Sequence, residues 1–597
     1  MRKIIKSFAA LAAMSMFLIS VESNACTNVL VTRGASVDNS NMISYAADSH
    51  QLFGELYFKK AANWAPGTMK QIYEWDTGKY LGEIPEVAHT YQRVGNLNEY
   101  QLIIAESTYG GRSELYDSTG IMDYGSLIYT TLERAKTAKQ AIKIIVDLAN
   151  TYGYASSGES FSIADKDEVW VMELIGKGVK LNEKGENTRK GIVWVAIRVP
   201  DGYITAHANQ ARITTIPFHD KENCMYSEDV VSFAREMGYF EGKDEDFSFA
   251  DAYCPLDFSG MRGCDARAWA AFNILCDGQF TFMEKGKEVT RPANDYLDYA
   301  MGWDTSKRFP LFVKPSRKLS VKDVADVMRD HYEGTPMDMR KDIGAGGNAL
   351  PYRWRPMFFE SNGKTYMNER AIATQQTGFW FVGQNRYDLP DVIGGVNWFG
   401  TDDAATSYLT PIYTNTLECP ESFKEGNGNM LKYSPTSAFW ITNRVGNACY
   451  KMYDHMEPTV RAEIDAWENA MIEAVAEADK HALKLYNIAS KAPVKKIRRN
   501  DKKKKVVDPY FAVKEFLTAF SLDKAQEIFN KWVELEEFLL VKYIDGNIKA
   551  QNPDGSFVTN PYTDDIPDKI SQPGYNQVWK DVVAKEHGDI VEVKEVK

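Results

Sequence analysis

This chain predicts a layered α+β protein, and three observations carry that expectation. A β-branched, alternating run, Cys26-Thr27-Asn28-Val29-Leu30-Val31-Thr32-Arg33, opens the region after residue 25. A stretch with apolar residues at helical spacing follows, from Met122 to Asn150, and strand-like runs then resume at Phe161. Hydrophobic content of 44% with 25% charged residues over 597 residues supplies a large core. The net charge of −12 argues against nucleic acid and anionic membrane as partners.

The first 25 residues read as a leader. A basic start, Met1-Arg2-Lys3-Ile4-Ile5-Lys6, precedes an apolar run from Phe8 to Val21, and the small residues Ser23 and Ala25 stand ahead of Cys26. The run is shorter than the roughly 20 apolar residues that span a bilayer. It fits a secretory signal peptide cleaved after Ala25, which predicts a secreted or periplasmic protein. Cleavage removes Arg2, Lys3, Lys6 and Glu22, a net +2, and leaves the mature chain near −14. No other stretch is a candidate membrane span.

Cleavage there makes Cys26 the first residue, with its own base attached. An α-amino group ordinarily titrates at about 7.7–8.0 and a thiol at about 8.5, so the neutral amine can take the thiol proton near neutral pH. Two other readings of the junction compete. The terminus falls at a cysteine by chance, with a buried or disulfide-bonded thiol. Or Cys26 is acylated in a lipoprotein, although Ser23 stands where such signals usually carry an apolar residue.

Met42 to Ala47 reads as a strand returning along the first and ending at Asp48. Residues 60–98 hold the Trp64-Ala65-Pro66-Gly67 turn and two short strand candidates, and Glu99 to Glu106 gives another strand, closed by Ser107-Thr108-Tyr109-Gly110-Gly111. After the helical stretch, residues 161–165, 168–174, 191–199 and 203–208 read as antiparallel hairpins. Segments 228–239 and 265–276 are expected helices, as is Val321 to Tyr332 with Ser320 as N-cap. Strands return between 365 and 400, and two long helical stretches, Pro458 to Ala489 and Pro509 to Tyr543, flank a basic run from Lys495 to Lys505 that reads as a solvated loop.

Thiol attack on an amide needs donors for the oxyanion, a proton for the leaving amine and a group that holds the base. Asp48 is the candidate for the last task, because a strand returning along the first brings its carboxylate back toward Cys26. The junctions Glu106-Ser107-Thr108 and His207-Ala208-Asn209-Gln210 put small polar residues where strands end. The other six cysteines, 224, 254, 264, 276, 419 and 449, allow 15 pairings, among which the sequence does not choose. There is no C-x-x-C and no H-x-x-x-H or H-E-x-x-H pattern, so neither a metal site nor a cofactor is indicated.

C-T-N-V-L-V-T-R-G-A-S-V-D-N-S, A-D-S, N-E-Y-Q-L-I-I-A-E-S-T, V-W-V-M-E-L, V-P-D-G-Y-I-T-A-H-A-N-Q, R-D-H-Y-E-G-T-P-M-D and L-P-D-V-I-G-G-V-N-W-F-G occur in that order between residue 26 and about 450. Together they resemble the dipeptidase A/secernin family of N-terminal-nucleophile cysteine peptidases. The resemblance implies a four-layer αββα sandwich for residues 26–455, a mainly helical extension over 456–597, and cysteine-dependent hydrolysis of dipeptides with no metal. By position it implies that Asp48 is the site aspartate of related hydrolases and Asn209 the second of two site asparagines, an oxyanion donor. The place of the first falls at Thr108, so a hydroxyl or backbone N–H would serve there. Tyr45 stands where a related arginine sits, three residues before the aspartate. Arg267 resembles a later site arginine, with Arg262 as the alternative. In the R-D-H-Y-E-G-T-P-M-D string, Glu333 and Asp338 are candidate partners for a dipeptide's ammonium. Other expectations remain open: an acyl-amide hydrolase of the choloylglycine or penicillin acylase type, or a lipid-anchored peptide-binding surface protein. A homo-oligomer is compatible with all of them.

Overall fold

The computed structural model describes residues 25–491 and 508–595. Residues 1–24 of the expected leader and the basic run lie outside them. Two antiparallel sheets dominate. The first has six strands: β1 (Ala25–Val31), β2 (Ser40–Asp48), β7 (Ile204–His207), β8 (Thr377–Arg386), β9 (Gly395–Thr401) and β10 (Thr410–Tyr413), in the order β7-β1-β2-β8-β9-β10. The second has eight strands. At its centre run β6 (Ile192–Arg198), β5 (Val169–Gly176), β4 (Glu159–Ala164) and β3 (Ile103–Thr108), in that order, with Cys224–Tyr226 beyond β6 and the short strands Leu97–Asn98, Arg93–Val94 and Phe58–Lys59 beyond β3.

Side-chain alternation explains how the second sheet is used. Ile103 and Ala105 join the core shared with Val29, Val31 and Ile43 of the first sheet, whereas Leu102 and Ile104 join a separate core. That separate core is completed by helices α1 (Tyr124–Leu132) and α2 (Ala138–Tyr152). Asp123 caps α1 and Thr137 caps α2, each accepting a backbone N–H, so the one helical stretch of the sequence becomes two helices. Against the first sheet lie α3 (Ala266–Leu275), next to β1 and β7, and α4 (Val321–Val327), next to β2 and β8.

The long helices α5 (Tyr453–Lys491) and α6 (Phe511–Lys542) share this core. Trp467 Nε1 donates to the Leu409 carbonyl at 2.9 Å, and the Tyr413 backbone N–H donates to Ser521 Oγ at 3.2 Å. Arg329 and Glu468, both buried, form a two-pronged ion pair at 2.5 and 3.1 Å. Among the described residues no helix is long and apolar enough to cross a membrane, and all seven cysteines are free thiols.

Three expectations need adjustment. The strand read from Glu99 starts at Ile103, because the Asn98 side chain accepts the N–H groups of Tyr100 and Leu102 and builds a turn with Gln101 at φ 60°. The helix from Val321 has its predicted Ser320 cap, reciprocated by Asp323, but stops at Val327, and Arg329 then turns inward to Glu468. The run 203–208 does not form a hairpin with 191–199. It crosses through the Pro200-Asp201-Gly202 turn to the other sheet and pairs with β1.

One ion cluster fixes the far edge of the second sheet. Glu133 accepts from Lys59, Lys70 and Arg93 at 2.8, 2.8 and 3.0 Å. Burial alone would raise the Glu133 pKa, but Lys70, Arg93 and Lys59 outweigh it and hold it down to about 2, against an ordinary 4.5. A depressed folded-state pKa contributes stability that is complete above pH 4.5 and is lost as pH falls toward about 2. The difference corresponds to about 3 kcal/mol. Glu133→Gln should lower the denaturant midpoint at pH 7 and flatten its decline between pH 4.5 and 3, read by fluorescence-monitored unfolding.

Candidate active site

The two strands flanking β1 define the site. β2 runs antiparallel with Asp48 opposite Ala25 and Ala47 opposite Cys26, so the chain returns to Cys26 as the spacing predicts. On the other side β7 pairs His207 with Asn28, and the chain leaves the sheet at Ala208-Asn209 beside Cys26. Asn209 takes φ 55°, a left-handed conformation that asparagine tolerates better than most residues, and this turns its side chain toward the strand end.

Cys26 is 3% exposed. Its backbone N–H donates to Asn209 Oδ1 at 3.1 Å, and its carbonyl accepts from Arg267 Nη1 at 2.8 Å and Ser107 Oγ at 3.3 Å. Arg267 also donates to Thr27 Oγ1 at 2.8 Å and to Asn209 Oδ1 at 2.7 Å. The Asn209 amide nitrogen donates to the Thr108 carbonyl at 2.6 Å, and its backbone N–H donates to Ser107 Oγ at 2.6 Å. Cys26, Asn209, Thr108 and Arg267 are thus one hydrogen-bonded cluster.

Thr108 joins it differently from the expectation. Its hydroxyl donates to Glu159 Oε2 at 2.9 Å, and the neighbouring Tyr109 N–H is spent on the Gly158 carbonyl, so Thr108 offers the cluster an acceptor. Arg262 is engaged elsewhere, with Glu369 and the Met301 carbonyl. Asp48 is 1% exposed and held by the Arg370 guanidinium and by Thr377 Oγ1, the latter at 2.6 Å. Burial raises the Asp48 carboxyl and the Arg370 charge opposes that rise.

Glu333 and Asp338 are committed to their own loop. Glu333 accepts from the His331 backbone N–H at 2.6 Å and lies 3.2 Å from His331 Nδ1; burial would raise its carboxyl, but His331 holds it down to about 2. Asp338 accepts from the N–H groups of Gly334 and Arg340 and pairs with Lys341. No hydrogen bond or ion pair connects either to Cys26 among the described residues.

The thiol's immediate partners were not assigned roles from the sequence. Cys26 Sγ lies 3.1 Å from Glu106 Oε1 and 3.6 Å from the Tyr45 hydroxyl, and that hydroxyl donates to the same Glu106 oxygen at 2.5 Å. The thiol pKa is pushed well up, by burial first, then by the charges of Glu106 and Asp48. Among the described residues no histidine is hydrogen-bonded to Cys26. His207, paired with Asn28 across β1, meets Ser162 Oγ at 2.7 Å between the sheets and is held neutral, lowered to about 3 by burial and by Arg212. Arg370 was also missed; nothing in Asn368-Glu369-Arg370-Ala371 distinguishes it from a surface arginine. Glu106, by contrast, stands in the strand-end string already marked as polar.

The family model described as Peptidase family C69 matches residues 61–466, more than half of the chain. The match begins after Cys26, so the place of that residue rests on the geometry above. A probable dipeptidase of Latilactobacillus sakei is 24% identical over 484 residues, covering 77% of this chain and 88% of that protein. Dipeptidase A of Lactobacillus helveticus is 22% identical over 464 residues, covering 73% and 85%. A probable dipeptidase B of Streptococcus pyogenes serotype M1 is 21% identical over 574 residues, covering 92% and 98%, a span that takes in the long C-terminal helices.

The Glu106 charge opposes thiolate formation, so removing it should ease ionisation. Glu106→Gln is expected to shift the pH profile of Cys26 alkylation by iodoacetamide to lower pH, followed by peptide mapping to separate Cys26 from the six other thiols.

Proposed function

The chain belongs to peptidase family C69, and from that premise we propose that it is a cysteine dipeptidase acting through Cys26 as an N-terminal nucleophile. The relatives named as dipeptidases support the substrate class. One observation carries the mechanism: the Cys26 nitrogen lies 3.1 Å from Asn209 Oδ1, and Arg267 holds both that oxygen and the Cys26 carbonyl. When cleavage after Ala25 frees that nitrogen, Asn209 is placed to fix an amine next to the thiol. The two facing sheets with helices on their outer sides agree with the four-layer sandwich of N-terminal-nucleophile hydrolases.

In this reading the thiol is neutral at rest, because burial and two carboxylates disfavour its anion. The α-amine takes the thiol proton as sulfur attacks the scissile carbonyl. The S–C bond forms, and the oxyanion is met by the Asn209 amide. Collapse breaks the C–N bond, and the leaving amine takes the proton back from the Cys26 ammonium. Water then hydrolyses the acyl-enzyme by the same shuttle. The leader-like segment, read as a signal peptide cleaved after Ala25, makes the protein secreted or periplasmic.

Mass spectrometry of the mature protein should find Cys26 first, with a free amine; an acyl adduct would favour the lipid-anchored alternative. Cys26→Ser should lose most activity and fold normally. Asn209→Ala should lower kcat by about 10²–10³-fold if it holds the oxyanion and the amine. A form retaining one extra residue before Cys26 should be inactive. Full activity of that form would transfer the base role to Glu106, the other proton acceptor at the sulfur.

A further inference from the structure

The proposed mechanism leaves two buried carboxyl groups unused. Glu106 is 1% exposed and Glu159 is fully buried; they stand on paired strands, β3 and β4, with Glu106 against the Cys26 sulfur and Glu159 next to Glu106. Glu106 Oε1 receives the Tyr45 hydroxyl and touches the sulfur, and Glu159 Oε2 receives the Thr108 hydroxyl. The remaining oxygens, Glu106 Oε2 and Glu159 Oε1, receive no donor from any other described residue, and the two carboxyls stand within hydrogen-bond reach of one another, with no ion pair to either among the described residues. The Glu159 carboxyl is pushed well up, by burial first, then by the neighbouring Glu106 carboxylate. The other titratable groups felt by the pair are Tyr124 and Tyr154, whose hydroxyls are raised by burial, and Asp76.

Buried carboxylate oxygens without a donor cost stability, and Glu106 also opposes ionisation of the Cys26 thiol. A cation bound there offsets both costs. Resting on the reading of Cys26 as a dipeptidase nucleophile, we propose that Glu106 and Glu159 form the subsite for the substrate's free α-ammonium. The geometry of a dipeptide fits it. In the residue whose carbonyl is attacked, the ammonium nitrogen lies about 2.5 Å from the carbonyl carbon, given standard bond lengths. The attacking sulfur stands about 3–3.5 Å from that carbon before bond formation. A carboxylate that accepts from the ammonium therefore lies within a few ångströms of the sulfur, and Glu106 Oε1 is at 3.1 Å.

The pair thereby selects its substrate twice. It binds the ammonium by charge-assisted hydrogen bonds, worth more than neutral ones. The bound cation also neutralises the carboxylate that keeps the thiol protonated, so an N-terminally blocked peptide meets both a desolvated anion and an unactivated sulfur. A blocked peptide is rejected for want of a charge, which discriminates more strongly than a missing methylene.

The test uses mature protein carrying Cys26→Ala, so that binding is read without turnover. The probes are a dipeptide that the wild-type enzyme cleaves and its desamino analogue, identical but for hydrogen in place of the ammonium, each titrated by calorimetry. The dipeptide should bind at least about tenfold more tightly than the analogue. Glu106→Gln and, separately, Glu159→Gln should each remove about tenfold or more of the dipeptide's affinity and leave that of the analogue within about threefold. Equal weakening of both probes, or no effect on the dipeptide in either variant, would overturn the assignment. Thermal midpoints of both variants identify a misfolded one, and the other then carries the test. A wild-type enzyme that cleaves no dipeptide refutes the underlying functional reading. One that cleaves dipeptides but binds them no better than their desamino analogues refutes this subsite alone.

Discussion

A guanidinium buried to 1% exposure sets the geometry of the site. Arg267 comes from α3, outside the first sheet, and reaches the end of β1. Its nitrogens donate to the carbonyls of Gly263, Cys26 and Ala208 and to Thr27 Oγ1 and Asn209 Oδ1. A buried cation is tolerable only when its donors are satisfied in this way. Satisfying them fixes the start of β1 relative to the turn after β7. The side chain that would hold the α-amine and the carbonyl on the other side of Cys26 are therefore positioned by one group, and the precision of the site derives from the cost of burying it.

That dependence extends outward. β1 is held between β2 and β7, and α3, which supplies the arginine, packs on both β1 and β7. The first sheet is closed on its far side by β10, onto which the two long C-terminal helices pack. Their buried links are polar as well as apolar: Glu468 with Arg329, Asp479 with Arg386 and the Tyr413 hydroxyl, and Trp467 with the Leu409 carbonyl. The helices thus cover the sheet that carries Cys26. Similarity to the streptococcal relative across almost its whole length accords with a C-terminal region that is part of the folding unit.

Much of this arrangement was legible in the sequence because it depends on short-range patterns. Alternation marked β1, β2, β4, β5 and β6 within a few residues, helical spacing marked α1 and α2, and the position of Cys26 after a leader-like segment pointed to the reacting atom. Asp48 and Asn209 followed from strand ends that must return to that atom. What escaped is what depends on crossing between layers. Strict alternation from Ile103 and Ala105 assigns Glu106 to the face of Leu102 and Ile104, away from Cys26, yet its flexible side chain brings Oε1 to the sulfur. Arg370 enters from a segment more than 300 residues from Asp48 in sequence, and only the folded chain brings the two together. Glu333 and Asp338 had the right chemistry in a resembling string, but a loop with Tyr332 at φ 65° uses their carboxylates to satisfy its own backbone.

The charges around the sulfur explain why the free terminus matters. Asp48, Glu106 and Glu159 bring three carboxyl groups to a buried site, against two guanidinium groups, Arg267 and Arg370, of which Arg370 is paired with Asp48. Among the described residues the thiol's hydrogen-bond neighbours are a carboxylate, Glu106, which holds the proton at sulfur, and a phenol, Tyr45, whose opposing effect is smaller. Cysteine hydrolases that rely on a resting thiolate place a cation beside it, and no cation is hydrogen-bonded to the Cys26 sulfur among the described residues. In the proposed mechanism the positive charge arises during the reaction, on a nitrogen that is neutral when it accepts the thiol proton and close enough to return it. A Cys26 that stayed in peptide linkage would have no such nitrogen, since an amide is not basic near neutral pH. In the proposed mechanism, burial of the thiol among acids and release of its own α-amine are complementary features: the first would keep the protein inert until the second is present.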